Sequence, residues 1–114
     1  MKRLIGFSAL FLATLGCGSG SSGTPNAPSN LATSILSGGI HITWTDNSTN
    51  EAMFMIERKT ASGQFADAYS VPFNITQYHD TQVTVGATYT YRVRAMTDGG
   101  TTSAYSNESS TMLK

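Results

Sequence analysis

The sequence predicts an all-β sandwich built from two antiparallel sheets. From residue 27 onward, apolar and polar residues alternate in short runs, and a period of two is typical of strands with one buried face. Gly, Asn, Asp and Ser residues separate these runs, and turn signals every 8–12 residues or so favour a sandwich. No stretch of about ten residues carries the apolar stripe of a helix.

Alternation also assigns the two faces of the strongest strands. The inward, core-forming residues predicted in this way are Trp44, Phe54, Ile56, Tyr89, Tyr91 and Val93. The opposite face of two of these strands carries Met53, Met55, Arg92 and Arg94. Methionine adapts to varied partners and arginine is enriched at interfaces, so these four residues are the predicted binding residues. Isolated exposed apolar residues that need no functional explanation are the alternative.

The first residues form a targeting signal. Lys2 and Arg3 precede an apolar run from Leu4 to Leu15, which is shorter than the roughly 20 residues that a membrane-spanning helix needs. The run ends near Cys17, the sole cysteine, so an internal disulfide is excluded. The segment 14–17 (Thr-Leu-Gly-Cys) resembles the lipobox of bacterial lipoproteins, although Thr14 stands where that family usually has Leu. An ordinary secretory signal with a chance cysteine is the alternative.

The lipobox resemblance sets the predicted organisation. It implies a lipoprotein signal peptide over residues 1–16 and a lipidated Cys17 that starts a Gly/Ser tether over 17–26; a folded domain over 27–114 follows. Gly18 after the cysteine resembles lipoproteins that are exported to an outer membrane. Two of the seven basic residues precede Cys17, which leaves five against seven acidic residues. That balance gives no attraction for nucleic acid or for an anionic membrane.

The order of the domain's segments resembles the fibronectin type III family. The matching segments are 25–31 (PNAPSNL), 40–44 (IHITW), 50–58 (NEAMFMIER), 78–80 (YHD) with Val83, and 86–95 (GATYTYRVRA). The resemblance implies an immunoglobulin-like antiparallel sandwich of seven strands. It also implies that the hydroxyl of Tyr89 bonds to upstream backbone in a tyrosine corner. Phe65 is expected on the strand after 50–58, and residues 104–106 near the start of the last strand.

Catalytic and metal motifs are weak in this chain. His41, His79 and Asp80 could belong to a scattered hydrolase triad, but no nucleophile elbow, zinc-protease motif or phosphate loop accompanies them. The oxygen-rich segment 46–51 (DNSTNE) lacks the glycine of an EF-hand calcium loop. It is more simply a loop whose side chains satisfy its own backbone. We therefore expect no cofactor, no metal and no enzymatic activity.

The predicted function is that of a lipid-anchored, non-catalytic module of the bacterial cell envelope. It would be held in the outer membrane through Cys17 and would bind an envelope protein or glycan, but not nucleic acid. A monomer is expected. A structural spacer without a ligand of its own, or a small hydrolase, are the alternative functions.

Overall fold

Seven strands make up the folded part of the chain. A computed structural model describes residues 23–114, so the predicted signal peptide, Cys17 and most of the tether lie outside the described residues. The strands are β1 (Ser29–Leu36), β2 (Gly39–Thr45), β3 (Met53–Thr60), β4 (Ala66–Pro72), β5 (Gln77–Asp80), β6 (Thr88–Met96) and β7 (Ser109–Met112). Within residues 23–114, no helix is long and apolar enough to cross a membrane.

The strands form two antiparallel sheets. One has three strands in the order β1-β2-β5, and the other has four in the order β4-β3-β6-β7. Consecutive strands β4 and β5 lie in different sheets, so the chain crosses from one layer to the other after Pro72. The all-β, seven-stranded sandwich predicted from the sequence is confirmed.

The core lies between the two sheets and is formed by their inward side chains. It contains Leu31, Ile40, Ile42, Trp44, Phe54, Ile56, Val71, Tyr89, Tyr91, Val93, Ala95 and Leu113, each buried. The structure thus places all the residues that alternation assigned to the core inside it. The rings of Trp44 and Phe54 meet edge to face across the layers, with centroids 5.6 Å apart, a favourable aromatic geometry.

The predicted tyrosine corner is present on β6. The hydroxyl oxygen of Tyr89 accepts a hydrogen bond of 2.9 Å from the backbone N–H of Thr84. Tyr89 is buried, so this bond fixes the loop between β5 and β6 against the core.

A second side chain ties the two sheets together along one edge. The pairing of β1 with β2 is irregular between Ser29 and Ala32, and Asn30 has a positive φ of 55°. The side-chain amide of Asn107 bonds both backbone groups of Leu31, accepting from its N–H at 2.9 Å and donating to its carbonyl at 3.0 Å. The irregularity therefore leaves no unpaired backbone group at Leu31.

One expected position differs in the structure. Phe65 precedes β4 and does not lie in it. Residues 104–106 lie shortly before the last strand, which begins at Ser109. Before that strand the chain already runs beside β6, because the backbone N–H groups of Ser103 and Ser106 bond β6 carbonyls. Their hydroxyls accept β6 N–H groups at 2.9 and 3.0 Å, and this use of side-chain acceptors interrupts the regular ladder.

The chain enters the domain at the end that carries the β2–β3 loop. Asn50 donates to the carbonyl of Gly23 at 2.8 Å, and the side chains of Asn26 and Asn47 each bond the backbone of the other's segment. These bonds hold the entering chain against the loop. Leu113 bonds Gly86 and Ala87 at the opposite end of the sandwich, so the two ends of the described chain lie far apart.

Candidate binding face

The predicted binding residues share the outer surface of the four-stranded sheet. We call this surface the β3–β6 face and define it by the outward side chains of the two central strands: Met53, Met55, Glu57, Lys59, Thr90, Arg92, Arg94 and Met96. Their inward neighbours on β6 are all buried, in strict alternation. Directly opposite residues in an antiparallel pair have Cβ atoms about 4.5–5.5 Å apart, so the face consists of adjoining cross-strand pairs.

Three methionines form one end of the face. Met53 is paired with Met96, and the next outward pair joins Met55 to Arg94. All three methionines are half-buried, and they occupy adjoining outward positions of the two strands. Met96 was missed by the sequence reasoning, although the same alternation that places Arg92 and Arg94 outward extends to it two residues further on.

Arg92 is held in place by its neighbours. Its guanidinium carbon lies 4.0 Å from the ring centroid of Phe65 and 3.7 Å from that of Tyr105. Its Nε and Nη2 both lie within hydrogen-bond distance of Glu57 Oε1, at 2.9 and 2.8 Å. Two aromatic faces and one carboxylate contact the group, so Arg92 is held in a fixed position within the face.

Glu57 is the centre of this cluster. It is only 6% exposed although it lies on the outer surface, because Arg92 and Tyr105 cover it. The Tyr105 hydroxyl donates to Oε2 at 2.7 Å. Burial alone would raise the pKa of Glu57, but the hydrogen bonds from Tyr105 and Arg92 and their positive surroundings outweigh it and hold that pKa below its usual value. The Glu57 carboxylate is therefore ionised at neutral pH, and the groups around it are hydrogen-bond donors and positive charges.

Arg94 is held less closely than Arg92. Its Nη2 is 3.8 Å from Glu57 Oε2, too long for a hydrogen bond. Its guanidinium lies 4.9 Å from the Tyr105 ring centroid. The buried Nε has no hydrogen-bond partner among residues 23–114. Arg94 therefore offers a charged, planar donor group beside the methionines.

A shallow groove adjoins the methionine end of the face. Its volume is about 540 Å³, and its lining residues are Asn50, Glu51, Ala52, Pro72, Phe73 and Asp98. Pro72 is paired with Met53 in the sheet, so the groove continues the face towards the loops. Phe73 is 58% exposed. Sequence reasoning could not find Phe73, because it lies in a turn where no alternation applies.

The arrangement does not favour catalysis at His79 and Asp80. Successive residues of a strand point to opposite faces, and Asp80 is buried in the core region while His79 is half-buried on the outer surface. Asp80 instead accepts hydrogen bonds from Arg58, Tyr69 and Tyr91 at 2.7–2.8 Å. These two neighbours in sequence therefore cannot act on one substrate.

The carboxylate oxygen atoms of the β2–β3 loop accept hydrogen bonds from the loop itself and from a neighbouring turn. Asp46 accepts from the backbone N–H of Ser48 at 3.0 Å, and Glu51 accepts from the Ser48 hydroxyl and the Asn74 N–H. Among the described residues, no group of three or more His, Cys, Asp or Glu side chains is placed to hold a metal ion. The loop geometry is that of carboxylates satisfying a turning backbone.

The comparisons with known proteins agree with this architecture. No protein-family model matches the chain, and no curated protein matches it. Among solved structures, it is similar to a Fn3-like protein from Clostridium thermocellum, with a TM-score of 0.65 and 22% identity over 79% of this chain and 94% of that one. It is also similar to domains from titin, with a TM-score of 0.69 and 21% identity over 80% of this chain.

A third similar structure is part of an enzyme. The beta-1,2-glucanase from Parabacteroides distasonis matches 78% of this chain with a TM-score of 0.70 and 21% identity. The chain spans 13% of the length of that glucanase and 32% of the titin chain. At these identities the comparisons establish the fold alone, which is an immunoglobulin-like sandwich of the Fn3-like kind.

Proposed function

We propose that this protein is a lipid-anchored, non-catalytic module of the bacterial cell envelope that binds a partner through the β3–β6 face. The observation that carries the proposal is the pairing of Met53 with Met96 and of Met55 with Arg94 across two central strands. This gives an adaptable apolar surface with a charged donor at its border.

The division of work between the two arginines supports a binding surface. Arg92 is held by Glu57, Phe65 and Tyr105, and these contacts fix its position in the middle of the face. The Arg94 side chain is 26% exposed, and its terminal Nη groups can pair with a carboxylate or a carbonyl of a partner. A rigid surface loses little conformational entropy on binding. The apolar methionines favour a protein partner over a glycan.

The anchor rests on the position of Cys17 and on where the chain enters the domain. An extended chain from Cys17 to Gly23 covers at most about 20 Å. Gly23 is bonded to Asn50, so lipidation at Cys17 would hold the β2–β3 loop end near the lipid surface. The β3–β6 face runs along the side of the sandwich and would stay accessible.

Replacing Cys17 by serine tests the anchor. The thiol is the acceptor of the lipid in this proposal, so Cys17→Ser should abolish acylation and move the protein out of the membrane fraction or leave its signal peptide uncleaved. Metabolic labelling with a fatty-acid analogue and cell fractionation measure both effects. A serine variant that is processed and sediments with membranes like the wild type would refute the anchor.

A paired substitution tests the binding face. Met53→Ser with Met55→Ser removes apolar area from the outer surface only, so the domain should still fold while partner recovery from an envelope extract falls at least tenfold. The matched control is Thr43→Ser with Gln77→Ser, a cross-strand pair on the other sheet, which should change nothing. Equal partner recovery with both double variants would contradict binding through the β3–β6 face and would favour the spacer function.

A further inference from the structure

The two histidines of the chain meet on the outer surface of the three-stranded sheet. His41 of β2 and His79 of β5 are directly opposite in the antiparallel register. Their ring centroids are 5.8 Å apart and the ring planes are inclined by 43°. The remaining groups around them on β1 and β2 are small and uncharged, since Ser34 is opposite His41 and Gly39 lies two residues before it. The pair is remote from the β3–β6 face, which lies on the other sheet.

Neither imidazole is used by the fold. The Nδ1 atoms of His41 and His79 are buried and have no hydrogen-bond partner among the described residues. No ion pair within residues 23–114 involves either ring. Because the Nδ1 atoms are buried, a ligand from solvent can reach the two rings only at their Nε2 atoms.

Gly39 makes room for the pair. A Cβ atom at this position would lie 3.0 Å from His79 Nε2 and 2.6 Å from the carbonyl oxygen of Asp80. The absence of a side chain therefore lets the His79 ring lie over the backbone of β2, next to His41. The glycine is required here by close approach, because its backbone does not adopt a positive φ.

We propose that His41 and His79 form a binding site for a divalent late-transition-metal ion, with Cu²⁺ bound most tightly. Imidazole nitrogen is a ligand that suits copper, zinc and nickel, and Cu²⁺ stands highest in the order of affinities. Two imidazoles that bind one ion at about 2.0–2.1 Å have ring centroids roughly 4.5–6.5 Å apart, depending on the N–metal–N angle. The observed 5.8 Å falls in that range.

The site supplies two protein ligands, and the other coordination positions are open to water or to a ligand from another molecule. No carboxylate completes it, consistent with the absence of any three-residue metal cluster among residues 23–114. The Nδ1 atoms also lack the hydrogen-bonded partners that strengthen many metal sites. The ion is therefore exchangeable and is not needed for folding. This departs from the sequence-based expectation of no metal.

Copper titration of the full chain tests the site. All variants carry Cys17→Ser, so that the thiol does not bind the ion. Binding of the second imidazole is intramolecular and raises affinity by about 100-fold or more. His41→Gln and His79→Gln should each weaken Cu²⁺ binding by that factor in isothermal titration calorimetry. Electron paramagnetic resonance should show two imidazole nitrogens in the parent and one in each variant.

A register control separates the geometry from the mere presence of two histidines. Gln77→His combined with His79→Gln keeps two histidines on the same face but moves one to a diagonal position, where the two residues are about 7–8 Å apart. This variant should bind like the single-histidine variants. The fluorescence of Trp44 reports whether each variant is folded. Single variants that bind Cu²⁺ as tightly as the parent, or a register variant that does so, would overturn the proposal.

Discussion

At the scale of single residues, two tyrosine hydroxyls on β6 make different kinds of hydrogen bond. The hydroxyl of Tyr89 accepts from the Thr84 N–H at 2.9 Å. The hydroxyl of Tyr91 donates to the Asp80 carboxylate at 2.7 Å and is fully buried. A hydrogen bond to an ionised group is stronger than one between neutral groups, so the two positions should respond differently to loss of the hydroxyl.

We expect Tyr89→Phe to lower the free energy of unfolding by about 1 kcal/mol and Tyr91→Phe by about 2–3 kcal/mol. Both substitutions keep the ring, so the packing of the core changes little and each serves as the control for the other. Urea denaturation monitored by Trp44 fluorescence measures the difference. Equal losses at the two positions would contradict the assignment of the stronger bond to Tyr91.

The residues that form the core could be predicted because the alternation of apolar and polar residues is a local property of the sequence. Trp44, Phe54 and Val93 each lie in a run whose period of two assigns their direction without knowledge of the partner strand. Glu57 was not predictable in this way. Alternation places it outward, but Tyr105 from a distant loop covers it. The near-complete burial of this charge depends on a contact between residues 48 positions apart.

At the scale of elements, Asp80 connects β5 to three strands of the other sheet. Its carboxylate accepts hydrogen bonds from Arg58 of β3, Tyr69 of β4 and Tyr91 of β6. Burial alone would raise the pKa of Asp80, but the hydrogen bonds from Tyr69, Tyr91 and Arg58 outweigh it and hold that pKa below its usual value. Burial and the bond to Asp80 raise the pKa of Tyr69 to about 12.

These shifts predict how stability depends on pH. A carboxyl with a lowered pKa in the folded state stabilises the fold above its unfolded pKa of about 3.9, and this contribution is lost as pH falls through the folded value. A tyrosine with a raised pKa stabilises below about pH 10 and loses that contribution as pH rises towards 12. Stability should therefore be flat between about pH 5 and 9 and fall on both sides.

The substitution Asp80→Asn tests the predicted loss of stability at low pH. The variant should lose about 3 kcal/mol at pH 7, because Arg58 keeps a half-buried charge without its carboxylate. The loss should shrink below pH 4, where the wild-type carboxyl also becomes protonated. Asp67→Asn, at an exposed position of β4, is the matched control and should follow the wild type. A constant difference between Asp80→Asn and the wild type down to pH 2 would show that the carboxylate charge is not what connects the sheets.

The ends of elements were less predictable than their centres. Residues 104–106 have the small and aromatic composition of a strand, yet hydroxyls of Ser103 and Ser106 take β6 N–H groups that a regular strand would bond through its carbonyls. Phe65 was expected within a strand but lies before one, where its ring stacks on Arg92. At both places side chains contact β6 where a regular strand would make backbone hydrogen bonds. The local sequence does not distinguish these side-chain contacts from a regular strand.

At the scale of the whole molecule, the sandwich has two surfaces with different chemistry. The β3–β6 face combines methionines with charged and aromatic groups, and the outer surface of the other sheet carries the paired histidines. The entering chain is held at the β2–β3 loop end by Asn50. If Cys17 is lipidated as proposed, this end of the sandwich would lie nearest the lipid, and both surfaces would lie on its sides.

The binding role of the β3–β6 face is the central claim, and site-specific photo-crosslinking in intact cells tests it most directly. A photoreactive amino acid is placed at Met55 in one variant and at Thr43, on the outer surface of the other sheet, in a second. The account predicts a discrete crosslinked adduct from position 55 that disappears when Arg94→Gln is added, and no such adduct from position 43. Adducts of equal yield from both positions, or none from position 55 in a folded and membrane-associated protein, would contradict it.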